Sequence, residues 1–544
     1  MQQVLGLGTI VLIVICVARA LFSIRARADS RWPWGWLAGL IGLQGILHWY
    51  TAPFLADIEP STLMLVSEET LRFSLVWRAF LGLPPRVIHV SELAFINNII
   101  GTLMLLPLLS FLLNFWRDAR TALVSLTFAV FAVVPLKYMS SEGQFALFVF
   151  CGVAAADRFL SWLETERRLD LCLAAICVSF AVNLRPEGVL ASMAVALLVF
   201  SRPTRLRALL RPLNLAVIVL PATLFALEPF LSLLSEAAGG EGLAWFALNP
   251  LFYLAFTFAI APIRFPFAEM LFVNVLAIAL AVIVFSATII VVWRRPLLRS
   301  RLLLLAGMTV AVSFGMIREV TVASERYLLM ALLFQAAFAG AVLHHAVSVV
   351  GRNWLSWRRA IAQVVVCAVV LATAFSLEAR ILTKKWPHTV EYEFALRVLP
   401  EIPDGAVILA DLFWEREAGL EFHEDKLSRL VGKSHEWLDL KEPGSLTRDG
   451  DLFLYVGGSC RIRQRSGQGF LHRETFTELY PKCRAALEAL RDDRREVELL
   501  FSTKARGTSF LGDEPVADKI PLEWYRVGPA RPSESPAVGA GEER

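Results

Sequence analysis

The chain has 544 residues, 56% of them hydrophobic, and a mean hydropathy of +0.57, which excludes an ordinary soluble protein of this size. Its net charge of +4 and pI near 8.7 carry no nucleic-acid signature, because multi-span proteins keep Lys and Arg for their cytoplasmic loops. Several apolar runs reach about 17–25 residues, enough for a helix to cross hydrocarbon, whereas a transmembrane β-barrel would alternate polarity in segments of about 10 residues.

The first run, "MQQVLGLGTIVLIVICVARALFSIRARADS", has no basic residue before it, while Arg25 and Arg27 follow it. A signal peptide has the opposite charge order, so a retained first helix with its N-terminus outside is expected. About twelve spans follow from the apolar runs, at roughly 3–22, 34–51, 93–115, 121–137, 143–160, 170–184, 187–201, 213–231, 267–293, 302–317, 327–349 and 360–378. The odd-numbered connections are basic: Arg25, Arg27 and Arg31, then Arg117 and Arg120, then Arg158, Arg167 and Arg168, and so on to Arg352, Arg358 and Arg359. The even-numbered ones carry short mixed clusters, such as Asp57 with Glu59, Lys137 with Glu142, and Arg185 with Glu187. By the positive-inside rule the basic loops are cytoplasmic, and both termini lie outside. The middles of the spans read as nearly free of charge.

The first long outer loop, 52–92, presents Asp57 and Glu59 at once. It continues into an amphipathic stretch with Leu71, Leu75 and Trp77 among Arg72 and Arg78, a pattern suited to the interface. Further on, "NLRPEG" (183–188) separates two apolar runs. Proline ends one helix and opens the next, so Arg185-Pro186-Glu187 is expected to form a tight turn at the outer surface.

Beyond about residue 380 no further span occurs. "AVILAD" (406–411), "DLFLYVGG" (451–458), "REVELLFS" (495–502) and "LEWYRV" (522–527) read as strands, and "RETFTELYPKCRAALEALRDD" (473–493) as a helix. Residues 380–528 are therefore expected to form an extracytoplasmic α/β domain, with 529–544, rich in Pro, Ala and Glu, as a disordered tail. Five of the seven cysteines fall in spans and read as packing residues, and adjacent His344 and His345 read as structural. Cys460 and Cys483 are left in the outer domain, where an oxidising compartment predicts a disulfide. Its loop of about two dozen residues would contribute roughly 3 kcal/mol in the chain-entropy picture. No CxxC or HExxH spacing occurs.

An acidic first outer loop, many spans and an outer α/β domain resemble the GT-C superfamily of integral membrane glycosyltransferases, including the dolichyl-phosphate-mannose–protein mannosyltransferases. The local strings that carry the resemblance are "ADIEP" (56–60), "YMSSEGQFALFVF" (138–150), "NLRPEGVL" (183–190), "SERYLLMALLFQAAFAG" (324–340) and "LPEIPDGAVILAD" (399–411). Two departures stand out. Met330 occupies the place of a customary proline, and the first acidic residue follows the second span rather than the first.

The resemblance implies transfer of a hexosyl or pentosyl group from a polyprenyl-phosphate donor, with inversion, at the outer face of the cytoplasmic membrane. The acceptor would be a glycan, lipid or protein. Asp57, then Glu59, would be the general base. Arg185, Arg264, Arg318 and Arg326 are candidates to hold the donor phosphate, since the guanidinium fork matches it. Glu142, Glu187 and Glu325 would orient sugar hydroxyls or pair with these arginines. Whether a divalent metal takes part stays open. The competing expectations are a lipid or sugar transporter, which should show an internal repeat, and a non-catalytic subunit of a polysaccharide system.

Overall fold

The computed structural model describes residues 2–27, 33–52, 75–82, 90–140, 144–185, 188, 198, 203–227, 271–295, 298–301, 303–304, 329–379, 382, 387–410, 428, 431–439, 452–457, 461–466, 473–479, 485, 488–490, 496–508 and 515–528. Two compact units divide the chain, the first built on Met1–Lys385 and the second on Trp386–Ser466, Arg473–Ser509 and Asp513–Arg544.

The first unit is helical: α1 (Gln2–Arg27), α2 (Trp34–Thr51), α3 (Leu75–Leu81), α4 (Val90–Leu103), α5 (Leu105–Trp116), α6 (Ala119–Val130), α7 (Val133–Met139), α8 (Phe145–Thr165) and α9 (Arg168–Leu184). Then come α10 (Pro203–Leu209), α11 (Pro212–Pro221) running into a π-helical turn (Ala222–Ala226), α12 (Leu271–Arg294), α13 (Leu329–Val350) and α14 (Ser356–Glu378). Among the described residues five helices are long and apolar enough to cross a membrane: Gln3–Arg27, Glu92–Trp116, Phe145–Thr165, Leu329–Val350 and Ser356–Ser376. A sixth arises if α6 and α7, bent by 63°, count as one. Of the other expected spans, 267–293 falls on the 24-residue apolar α12, 34–51, 170–184 and 213–231 fall on helices that are shorter or less apolar, and 187–201 and 302–317 lie mostly outside the described residues.

Proline explains two of the breaks. Pro107 cannot donate to the carbonyl of Leu103, and α4 gives way to α5 at Met104. Pro135 stands in the same relation to Phe131, where the expected straight span 121–137 bends instead.

The bundle is built around α8, whose residues from Phe145 to Leu160 are all buried. Its run Gly152, Val153, Ala154, Ala155, Ala156 lets neighbouring helices approach closely, as small residues do in membranes. A Cβ on Gly152 would clash with the Met330 sulfur of α13, so Met330 fills the notch that the glycine leaves. At one end of the unit, basic connections distant in sequence meet. Arg27 and Arg117 pair with Glu164 at 2.7 and 3.3 Å, Arg205 and Arg211 pair with Glu166, and Arg301 donates to the Trp116 carbonyl at 2.7 Å.

The second unit holds α15 (Pro387–Val398) and the strands β1 (Val407–Ala410), β2 (Glu436–Asp439), β3 (Leu452–Val456), β4 (Arg461–Ser466), β5 (Arg473–Leu479), β6 (Val497–Thr508) and β7 (Pro515–Val527). The main sheet has the order β2-β1-β3-β7-β6, with β1 parallel to β2 and β3, and the remaining pairs antiparallel. Both faces are covered, as parallel strands require. Phe394, Val398 and Leu399 pack with Ile408, Phe453 and Trp524 on one side, and Leu490 packs with Leu409, Leu454 and Val527 on the other.

One expectation is corrected here. The stretch opening at Arg473 is strand β5, antiparallel to β4, and Ala485 and Glu488–Leu490 further on are helical. Thr475, Phe476 and Thr477 favour a pleated surface, and cross-strand pairing outweighs the helical spacing.

Candidate functional site

Arg185 ends α9. The following proline excludes the helical region for it, and its backbone is extended at φ −151°, ψ 136°. Its N–H still donates to the Ala181 carbonyl at 3.0 Å, and its carbonyl accepts from Gly188 N–H at 2.8 Å, which closes the turn. Gly188 is needed for the return, because a Cβ there would clash with the Ala181 backbone. The Arg185 residue is only 7% exposed. Its guanidinium carbon lies 4.7 Å from the centroid of Phe145, the first residue of α8, and Phe145 in turn meets Tyr138 edge-on at 5.2 Å. A desolvated cation–π contact of this kind is worth about 2 kcal/mol.

Two polar ties converge on the same end of the bundle. Ser140 donates to the Leu136 carbonyl at 2.6 Å, which leaves its oxygen to accept from His48 Nδ1 at 2.6 Å. His48 Nε2 then accepts from Gln44 at 2.9 Å, so the neutral imidazole is satisfied at both nitrogens. This chain fastens α2, which leads into the 52–92 loop, to α7, which leads to Glu142. The second tie is Asn183, two residues before Arg185. Its Oδ1 accepts from Val76 N–H of α3 and its Nδ2 donates to the Phe225 carbonyl, both at 3.0 Å. Lys137, also fully buried, donates to the Leu382 carbonyl at 3.2 Å. Neither His48 nor Asn183 was legible as a site residue. The available signal was a hydrogen-bonding side chain on an otherwise apolar helix.

Of the residues expected to act, only Arg185 is among those described. Asp57, Glu59, Glu142, Glu187, Arg264, Arg318, Glu325 and Arg326 lie outside the described residues, as do Cys460 and Cys483. The expected amphipathic stretch is described from Leu75 onward as α3. Val76 and Trp77 are buried there, packed against α1 and α9. Among the described residues no group of three or more His, Cys, Asp or Glu side chains could hold a metal ion.

Charge inside the helices departs from expectation. Asp157, Arg158 and Asp170 are each at most 1% exposed, and Arg158 lies within α8 rather than in a loop. Arg19 Nη2 donates to both carboxylate oxygens of Asp170 at 2.8 and 3.0 Å, Arg158 reaches Asp170 at 3.0 Å and also pairs with Asp157, and Ser110 donates to Asp157 at 2.7 Å. Two cations balance two anions, so the buried charges are mutually neutralised. The cluster lies at the far end of α8 and α9 from Arg185 and locks α1, α5, α8 and α9 together.

No protein-family profile matches the chain, and no curated protein sequence does. Its structural neighbours include the Archaeoglobus fulgidus oligosaccharyltransferase in its apo form, at 13% identity and a TM-score of 0.45, covering 91% of this chain and 80% of that one. The same enzyme tethered to an acceptor peptide containing the NVT sequon superposes at 14% identity and a TM-score of 0.38, covering 80% of this chain and 64% of that one. The chain thus spans about two thirds of the tethered structure's length. These superpositions are loose, and the peptide-acceptor activity is that protein's own.

Proposed function

We propose that the chain is a GT-C-type glycosyltransferase. It transfers a sugar from a polyprenyl-phosphate donor to an acceptor at the outer face of the cytoplasmic membrane, with inversion. The observation that carries this reading is Arg185: a nearly buried guanidinium at a helix end, backed by the Phe145 ring, on the turn of the Arg-Pro-Glu motif. A phosphate leaving group accepts two parallel N–H bonds from one guanidinium, and the Phe145 ring holds that guanidinium at the turn.

In this mechanism Arg185 holds the leaving phosphate, joined by one or more of Arg264, Arg318 and Arg326. Asp57 takes the acceptor's proton as its oxygen or nitrogen attacks the anomeric carbon, with Glu59 as the alternative base. A single displacement inverts that centre. Glu142, Glu187 and Glu325 orient sugar hydroxyls or pair with the arginines.

The test compares mass spectra of envelope glycolipids and glycoproteins from cells with the chain, without it, and with Asp57→Asn. Loss of the same glycoform in the last two, with the Asn variant still present in the membrane, is expected. An Asp57→Asn strain with the full wild-type profile would point instead to a transporter or a scaffold.

A further inference from the structure

We propose that Asn183 is the positioning residue of the Arg185 site; this rests on Arg185 holding a phosphate. The first N–H groups of a helix have no partner within it. Val76 is the second residue of α3, and its N–H is satisfied by the Asn183 side chain of a different helix, at 3.0 Å. The other end of the same amide bonds the carbonyl of Phe225 in the π-helical turn, where main-chain pairing departs from the regular helix. Phe180, one turn earlier on α9, packs edge-on against Phe225 at 5.0 Å and directs the π-turn to the same place.

Asn183 therefore joins two elements, from 107 residues before it and 42 after it, to the last turn of α9. That turn ends at Arg185. The guanidinium is held by Phe145 on one side, and its backbone is held by the turn that Asn183 indexes against α3 and the π-turn. A planar fork binds phosphate through two N–H bonds only when its direction is set. A short amide that fixes the base of the arginine supplies that direction without touching the ligand.

The experiment uses the full-length protein in lipid nanodiscs, with a polyprenyl monophosphate as probe. In the wild type the Val76 amide should exchange slowly. Asn183→Ala should release it, lower the melting temperature of the bundle through the two lost hydrogen bonds, and weaken phosphate binding by about tenfold because the guanidinium fork is no longer aimed. Asn183→Leu, which keeps the γ-branched shape but removes both polar atoms, should do the same and covers the case in which the alanine variant unfolds. Fast exchange at Val76 in the wild type overturns the proposal. So does unchanged phosphate affinity in Asn183→Leu with Val76 released. Arg185→Ala is the control: if it binds the probe as well as the wild type, the phosphate reading itself fails. If Arg185→Ala loses binding and the Asn183 variants keep it, only the role of Asn183 fails.

Discussion

The Arg185 guanidinium, at the end of α9, lies 4.7 Å from the ring of Phe145, at the start of α8. The two residues are 40 positions apart, and the contact links the Arg-Pro-Glu turn to the connection that carries Glu142. Arg185→Lys keeps the charge but loses the fork. With charge-assisted hydrogen bonds worth about 1.5–3 kcal/mol, transfer should fall roughly ten- to a hundredfold. Phe145→Leu keeps an apolar neighbour but no ring face, and a fall of about tenfold is expected. Transfer rates in membranes containing each variant, normalised to protein present, decide this; a fully active Arg185→Lys would return the motif to a helix turn closed by an ion pair.

Glu166 gathers Arg205 and Arg211 at the end of the bundle where Arg27 and Arg117 meet Glu164. Reporter tags inserted at residue 205 and at the C-terminus should lie on opposite sides of the membrane, with 205 cytoplasmic. Both tags on the same side would contradict the alternation of basic and mixed loops.

Gly152 and Met330 form a complementary pair, the sulfur of one occupying the space that a Cβ on the other would need. Gly152→Val should destabilise the bundle by about 1–3 kcal/mol, the usual cost of overpacking. Met330→Ala in the same chain should recover much of the loss, because the two residues share one volume. Thermal unfolding of the two single variants and the double variant measures the coupling, and strictly additive effects would mean that the contact is not made.

In the second unit His435 accepts or donates at Ser428 Oγ, 2.9 Å away, and Trp437 Nε1 donates to the same oxygen at 3.0 Å. Burial holds the imidazole below its usual value near 6.5, with neighbouring Lys433 acting in the same direction. The unfolded chain therefore takes up a proton near pH 6.5 that the folded domain still refuses. The stability due to the neutral histidine is complete above that pH and is lost as the pH falls below it toward the folded value. Amide exchange of β1 and β2 in the full-length protein, corrected for intrinsic rates, should show weakening protection across that window, and His435→Gln should flatten the change. Parallel profiles in the two proteins would exclude His435 as the cause.

Much of the helical architecture was legible because hydrocarbon allows few solutions. A backbone without water must pair with itself, so apolar runs become helices wherever the side chains permit. The expected 34–51 matches Trp34–Thr51, and 170–184 falls within Arg168–Leu184. The strands at β1, β3, β6 and β7 were legible for a related reason, since short β-branched and aromatic runs between turn residues have few alternatives. The end of α9 at Arg185 was likewise legible, because proline acts on its immediate neighbour.

Tertiary structure decided what depends on partners distant in sequence. Arg473–Leu479 became a strand because β4 pairs with it. Arg158 left its expected loop because Asp157 and Asp170 neutralise it inside the bundle. The Phe145 contact with Arg185 and the double hydrogen bond of Asn183 have no local signature, because residues 40 to 107 positions apart make them. Local propensity places helix ends and turns, whereas the direction of a buried guanidinium depends on which helices pack beside it.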